Sequence, residues 1–218
     1  MQVMGAKGEK MQNNYIDKLI ERLPKLSSQK QEIISAVQTI VDMYKDGGKL
    51  LIAGNGGSSA DCQHISGELL KGFISNREIK SDKVEKLSKY LTCEDIESLQ
   101  EGIPAIPLTA FSGALTAYSN DRNSTLAFAQ LVLALANGSD VFLAISTSGN
   151  SKNIIKATMV AKSLGLKVIA LTGGDGGEIK KIADICIVAP EEQTYLVQEY
   201  HLPIYHAICA EVERILFA

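Results

Sequence analysis

Five short runs constrain the fold of this chain more than any other feature. They are KLLIA at 49–53, IPAIPLT at 103–109, DVFLAIS at 140–146, KVIALT at 167–172 and DICIVA at 184–189. Each is apolar almost throughout instead of alternating. A strand with one solvated face alternates apolar and polar residues. A run without that alternation must be covered on both faces, as strands of a parallel sheet are. Helical patterns fall between most of the runs, at 58–73, at 112–119 and 125–137, and at 151–164. Two more lie outside them, at 29–46 and 194–217. Alternating strands and helices imply right-handed crossovers. The expected fold class is therefore α/β, a three-layer α/β/α sandwich on a five-stranded parallel sheet. In such sheets ligands sit at the carboxyl ends of the strands. Pro203 lies inside the last helical pattern, lacks a backbone N–H and is expected to kink it.

One segment departs from this rhythm. Residues 74–101 are rich in Lys, Glu, Asp and Ser and read as one or two short solvated helices inserted before the second strand. There is no internal repeat and no low-complexity linker. The simplest organisation is one domain over 1–218, with an N-terminal helical extension at about 12–46 and the insert at about 74–101.

The formal net charge is −3, which argues against a general nucleic-acid surface but not against a small anionic ligand. MQVMGAKGEKMQNN at the start has no apolar core of a signal peptide, and no run reaches the length of a membrane span. Cys62, Cys93, Cys186 and Cys209 are scattered without a CxxC pair. They read as reduced thiols of a cytoplasmic protein, not as a structural zinc site.

Three loops follow strand ends. Gly54-Asn55-Gly56-Gly57-Ser58-Ser59 sits between the first strand and a helix whose N-cap the serines are expected to form. Alone it serves a tight turn equally well, and its spacing is neither GxGxxG nor a Walker loop. Ser146-Thr147-Ser148-Gly149-Asn150-Ser151 places four hydroxyls and a glycine after the third strand, a set of small donors suited to a phosphomonoester. The third, Thr172-Gly173-Gly174-Asp175-Gly176-Gly177, reads as a turn. Asn120 and Asp121 close a helix and are a weaker candidate for the same cleft.

His64 and Glu68 are four residues apart and share one helix face, two to three turns beyond the glycine loop. The other two histidines, His201 and His206, lie in QEYHLPIYH near the carboxyl end. A satisfied surface or core role is the plain reading of any one histidine. Two short helical clusters holding all three make a shared site an equal alternative.

GNGGSSADCQHISGE, ISTSGNS and VQEYHLPIYHAICAEVE together resemble the phosphoheptose isomerases of the sugar-isomerase (SIS) fold, which is flavodoxin-like. The match spans nearly the whole chain apart from the first ten residues and the insert. The resemblance implies conversion of sedoheptulose 7-phosphate to an aldose, D-glycero-D-manno-heptose 7-phosphate. It implies substrate contacts from Asn55, Gly56, Gly57, Glu68, Asn120, Asp121 and Gln198. It places the phosphate on Ser146, Thr147, Ser148 and Ser151. Glu68 resembles the family's catalytic base and His206 its catalytic acid. A zinc ion on His64, Glu68, Gln198 and His206 is implied too, as is a homotetramer.

The residue types suit that chemistry. Ketose–aldose isomerisation passes through an enediol and needs one group to move a carbon-bound proton and another to serve the oxygens. Zinc would polarise those oxygens, at some cost to Glu68 as a base if it is also a ligand. Gln198 and His206 are eight residues apart, about 12 Å along an unbroken helix. They meet one ion only if Pro203 bends the helix or if two subunits contribute, so a site at a subunit interface is expected. The insert leaves room for another phosphorylated ketose. The rival reading is a non-catalytic SIS protein, either a phosphosugar-sensing regulator or a replication-initiator-binding protein. Retention of both Glu68 and His206 favours the enzyme.

Overall fold

The computed structural model describes residues 14–217. Most of the stretch examined for a targeting signal, and residues 12–13 of the expected helical extension, lie outside the described residues. The five apolar runs form β1 (Leu50–Gly54), β2 (Ala105–Pro107), β3 (Val141–Ile145), β4 (Lys167–Gly173) and β5 (Ile185–Ala189). All pairings are parallel and the strand order is β2-β1-β3-β4-β5. The helices are α1 (Asn14–Arg22), α2 (Lys30–Lys45), α3 (Gly57–Leu70), α4 (Ser81–Leu87), α5 (Cys93–Glu97), α6 (Ser112–Asp121), α7 (Ala127–Leu135), α8 (Lys152–Ser163) and α9 (Thr194–Phe217).

Two cores explain why the runs do not alternate. Leu50, Ile52, Leu143, Ile145, Ile169 and Leu171 enter one core with residues of α1, α2, α3 and α9. Leu51, Ala53, Phe142, Ala144, Val168 and Ala170 enter the other, against α7 and α8. Successive side chains of a strand point to opposite faces, so a sheet roofed on both sides needs apolar residues at every position.

The second run pairs over only three of its seven residues. Pro104 and Pro107 have no N–H to give a ladder, so the strand is short and sits at the sheet edge. Residues 108–110 turn instead into a short 3-10 helix.

The helix α9 is continuous through Pro203. It runs beside α3 and in the same direction. Gln198 lies over Gly57, Tyr205 faces Asp61 and His64, and Glu213 accepts the Phe73 N–H at 2.7 Å. The two helices keep step from end to end, so no bend at Pro203 draws Gln198 toward His206.

In the segment between α3 and β2, α4 buries no side chain and α5 buries only Ile96. One buried ion pair fastens its start. Arg77 Nε donates to Glu213 Oε1 at 2.8 Å, and Glu213 also accepts the N–H groups of Ile74 at 2.8 Å and Ser75 at 3.1 Å. Arg77 further donates to the carbonyls of Leu69 at 2.5 Å and Glu68 at 3.0 Å, which closes the open carboxyl end of α3.

Candidate active site

The strands β1 and β3 are neighbours and end together, with Gly54 opposite Ile145. The chain leaves β1 toward β2 on one side and continues through β3, β4 and β5 on the other. This reversal opens a crevice between the loops after β1 and β3, the usual ligand position in such sheets.

The helix α3 begins earlier than the serine N-cap predicts. Gly56 is the cap residue, with φ +54°, a conformation glycine adopts without steric cost. Ser58 is consequently inside the first turn and buried. A side chain at Gly57 would displace the Gln198 amide, which packs directly against this glycine. Neither Gly56 nor Ser151, the cap residue of α8, makes a side-chain capping bond. Two helix termini therefore face one crevice without side-chain caps, and each suits an anion.

The hydroxyl loop is organised internally. Ser146 Oγ donates to Ser151 Oγ at 3.1 Å, and Ser148 Oγ accepts the Asn150 N–H at 3.2 Å. Thr147 is half-buried beside them. The third loop is the turn its glycines suggested, and it supports the hydroxyl loop from behind. Ile179 N–H donates to Gly149 O and Glu178 N–H to Asn150 Oδ1, both at 3.0 Å. Sequence reading missed Asn153. Its amide and that of Asn55 bond reciprocally, at 2.8 and 3.0 Å, joining the two loops across the crevice. Asn120 and Asp121 are exposed at the end of α6, where Asn120 Nδ2 donates to Asp121 Oδ1 at 3.0 Å. Their bond is to each other and not to either loop.

Two turns along α3 the second cluster appears. His64 Nε2 lies 3.2 Å from Glu68 Oε1 and 3.4 Å from His206 Nε2. The imidazoles stand edge to face, with centroids 4.9 Å apart. Lys71 Nζ is 3.3 Å from Glu68 Oε2. Burial depresses the His206 pKa below the ordinary histidine value, helped by His64 and Arg22 and opposed by Glu68, so its neutral form dominates at neutral pH. A cavity of about 300 Å³ opens beside His206, lined among others by Tyr15, Lys18, Arg22 and Phe73. A larger groove of about 460 Å³ lies within the insert, between residues such as Val84, Cys93 and Ile96, away from both loops.

The remaining candidates separate. Gln198 sits at the amino end of α3 and is not brought to the His64 cluster of its own chain. Glu68 and His206 flank the same His64, so these two come from one chain. His201 is fully buried and its Nε2–H donates to Thr172 O at 3.1 Å. Burial depresses its pKa to about 4, and it is a core residue. Asp61 and Tyr205 also escaped the sequence reading. Tyr205 Oη lies 3.0 Å from His64 Nδ1 and 3.3 Å from Asp61 Oδ1. A spacing signal existed only for Asp61, three residues before His64 on the same helix face. For Tyr205, beside His206 on α9, there was none.

The donor set suits zinc in kind, with two imidazole nitrogens and a carboxylate. Bonds of about 2.0–2.1 Å give a tetrahedral edge of roughly 3.3–3.4 Å, close to both separations at His64 Nε2. The set is nonetheless open, with His64 its shared member. Among the described residues no three His, Cys, Asp or Glu side chains are arranged to hold a metal ion.

Comparison with known proteins first sets the class. The SIS domain family model matches residues 14–103 and 100–173, in two overlapping stretches. This is an SIS-domain fold, and the chain is an enzyme of the phosphosugar isomerase class. Phosphoheptose isomerases from Geotalea daltonii and Leptospira biflexa are 40% and 37% identical to it. The first aligns over 85% of each chain and the second over 95% of each. The solved structure of the Neisseria gonorrhoeae phosphoheptose isomerase superposes with a TM-score of 0.71 at 30% identity, covering 93% of both chains. The chain belongs to the phosphoheptose isomerase family.

Proposed function

We propose that this chain interconverts sedoheptulose 7-phosphate and D-glycero-D-manno-heptose 7-phosphate. The observation that carries this reading is the meeting of Glu68 and His206 on either side of His64, on the helix that starts at the anion-suited crevice. The name that the curated relatives carry, phosphoheptose isomerase, supports a phosphorylated heptose as the substrate.

The phosphate takes the hydroxyls of Ser146, Thr147, Ser148 and Ser151 and the uncapped N–H groups of α3 and α8. Asn55, Gly56 and Gly57 approach the sugar from the other loop, and Asn120, Asp121 and Gln198 complete the sugar contacts. Glu68 removes the proton at C1 and returns it at C2. His206 gives a proton to O2 and takes one from O1, so the enediol collapses to the aldose with no net change in the protein. Lys71, which donates to Glu68 Oε2, holds the carboxylate in orientation.

Zinc belongs to the same proposal. His64, Glu68 and His206 supply donors of the right kind but, among the described residues, are not closed into a three-ligand set. Drawn together they would hold the ion, which would stabilise negative charge developing on the substrate oxygens. Gln198 would join such a set only from another copy, which agrees with a homotetramer of shared sites in the cytoplasm. No helix among the described residues is long and apolar enough to cross a membrane.

The test is turnover of sedoheptulose 7-phosphate by wild type and Glu68→Gln, before and after chelation and zinc return. Wild type should turn over and Glu68→Gln should be slower by about 10²–10⁴-fold. Full activity in Glu68→Gln removes the base assignment. Absence of turnover with C5–C7 ketose phosphates favours a sensor. For shared sites, inactive Gln198→Ala and His206→Ala chains are co-assembled, and recovered activity is expected. No recovery in verified mixed oligomers counts against sharing.

A further inference from the structure

The contact between Tyr205 and Asp61 has a direct bearing on the protonation of His64. The Tyr205 ring is 2% exposed, and its hydroxyl stands between Asp61 Oδ1 at 3.3 Å and His64 Nδ1 at 3.0 Å. Among the described residues Asp61 Oδ2 is buried without a hydrogen-bond partner, and Tyr205 is the side-chain donor to this carboxylate. The Tyr205 and His64 rings pack edge to face, with centroids 5.5 Å apart, which limits rotation of both.

A tyrosine hydroxyl has one proton to give, and an ionised carboxylate can only accept. If the hydroxyl donated to His64, its oxygen and the Asp61 oxygen would face each other as two acceptors in a half-buried site, which is costly. If the proton goes to Asp61, the bond is charge-assisted, and the hydroxyl lone pair accepts from His64 Nδ1–H. We infer that Tyr205 and Asp61 are positioning residues that hold His64 in its Nδ1–H form, so that Nε2 presents a lone pair to Glu68 and His206.

That arrangement sets the character of the cluster. The lone pair of Nε2 then lies 3.2 Å from a Glu68 oxygen, two acceptors in contact. Such a contact calls for a cation or a proton at that point. His206 Nε2–H can serve His64 Nε2 at 3.4 Å, but it leaves the Glu68 oxygen unserved. Fixing the outer nitrogen of a ligating histidine through a carboxylate is a known way of strengthening a metal site. This consequence rests on the zinc reading above. The tautomer itself does not.

The experiment is a two-bond proton–nitrogen correlation spectrum of the metal-free protein at pH 8, with ring-labelled histidine, on wild type, Tyr205→Phe and Asp61→Asn. Tyr205→Phe keeps the ring packing. Asp61→Asn keeps the shape but can donate to the tyrosine oxygen, which turns the hydroxyl proton toward His64. Wild-type His64 should carry its proton on Nδ1, and both variants should move it to Nε2. Zinc affinity, read by competition with a chromophoric chelator, should fall about 10- to 100-fold in both. A wild-type proton on Nε2, or variants that leave the tautomer in place, overturns the inference. A correct tautomer response in a protein without isomerase activity supports the inference and overturns the proposed reaction instead.

Discussion

The Nε2 atoms of His64 and His206 stand 3.4 Å apart although 142 residues separate them in the chain. The carboxyl-terminal helix α9 lies along α3 in the same direction, and this alignment sets the contact. Glu68, one turn beyond His64, is thereby given an imidazole on another helix as its partner in acid–base chemistry. The cluster depends on the packing of these two helices more than on any loop.

Replacing Glu68 by Gln keeps the size of the side chain and removes its basicity. General acid–base groups contribute about 10²–10⁴-fold, so kcat should fall by that factor with KM little changed. His206→Asn should behave in the same way. Steady-state kinetics on sedoheptulose 7-phosphate checks both. A variant with raised KM and unchanged kcat would show a binding role instead.

The Asn55–Asn153 pair predicts the opposite kinetic pattern. Asn153→Ala removes two neutral hydrogen bonds between the loops, each worth about 1 kcal/mol net. KM should rise roughly 5- to 30-fold with kcat nearly constant. Asn153→Asp should be worse for the sugar phosphate, because it brings a negative charge to the crevice. Raising the ionic strength should recover part of that loss, which can be read from KM against added salt.

The Arg77–Glu213 pair is a stability element. Both side chains are buried, and Glu213 also serves three backbone N–H groups. Burial alone would raise the Glu213 pKa, but the Phe73 and Ile74 N–H groups and Arg77 more than offset this and hold it below the ordinary value. Removing one partner of a buried pair costs about 3–5 kcal/mol. Glu213→Gln and Arg77→Met should each lower the urea midpoint accordingly. The double variant should lose less than the sum of the two.

His201 makes stability depend on pH. Its pKa is depressed from 6.5 to about 4 in the folded protein, because burial disfavours the imidazolium. Between those values the unfolded chain binds the extra proton and the folded one does not. Its contribution is therefore complete above pH 6.5 and is lost as pH falls toward 4. One pKa unit corresponds to about 1.4 kcal/mol, so the loss is roughly 3 kcal/mol. Denaturation free energies measured over that range should fall less steeply in His201→Gln than in wild type.

The sequence by itself determined the sheet. Short runs apolar on both parities, spaced by helical patterns, read as strands covered on both faces, and the helical patterns supply the crossovers. It also marked the two crevice loops. The hydroxyl-rich loop after the third strand gave the glycine loop after the first, which alone served a tight turn equally well, a partner at the same sheet end. The His64–Glu68 pair was legible too, because spacing within one helix fixes which side chains share a face. Tertiary structure alone decided what those residues meet. Packing of α9 against α3 placed His206 beside His64 and left Gln198 at the other end of the helix. It turned His201 inward to Thr172 and set Tyr205 between Asp61 and His64. Periodicity specifies a face of a helix but not the partner that covers it, and Asn153 and Tyr205 acquire their roles only from that partner.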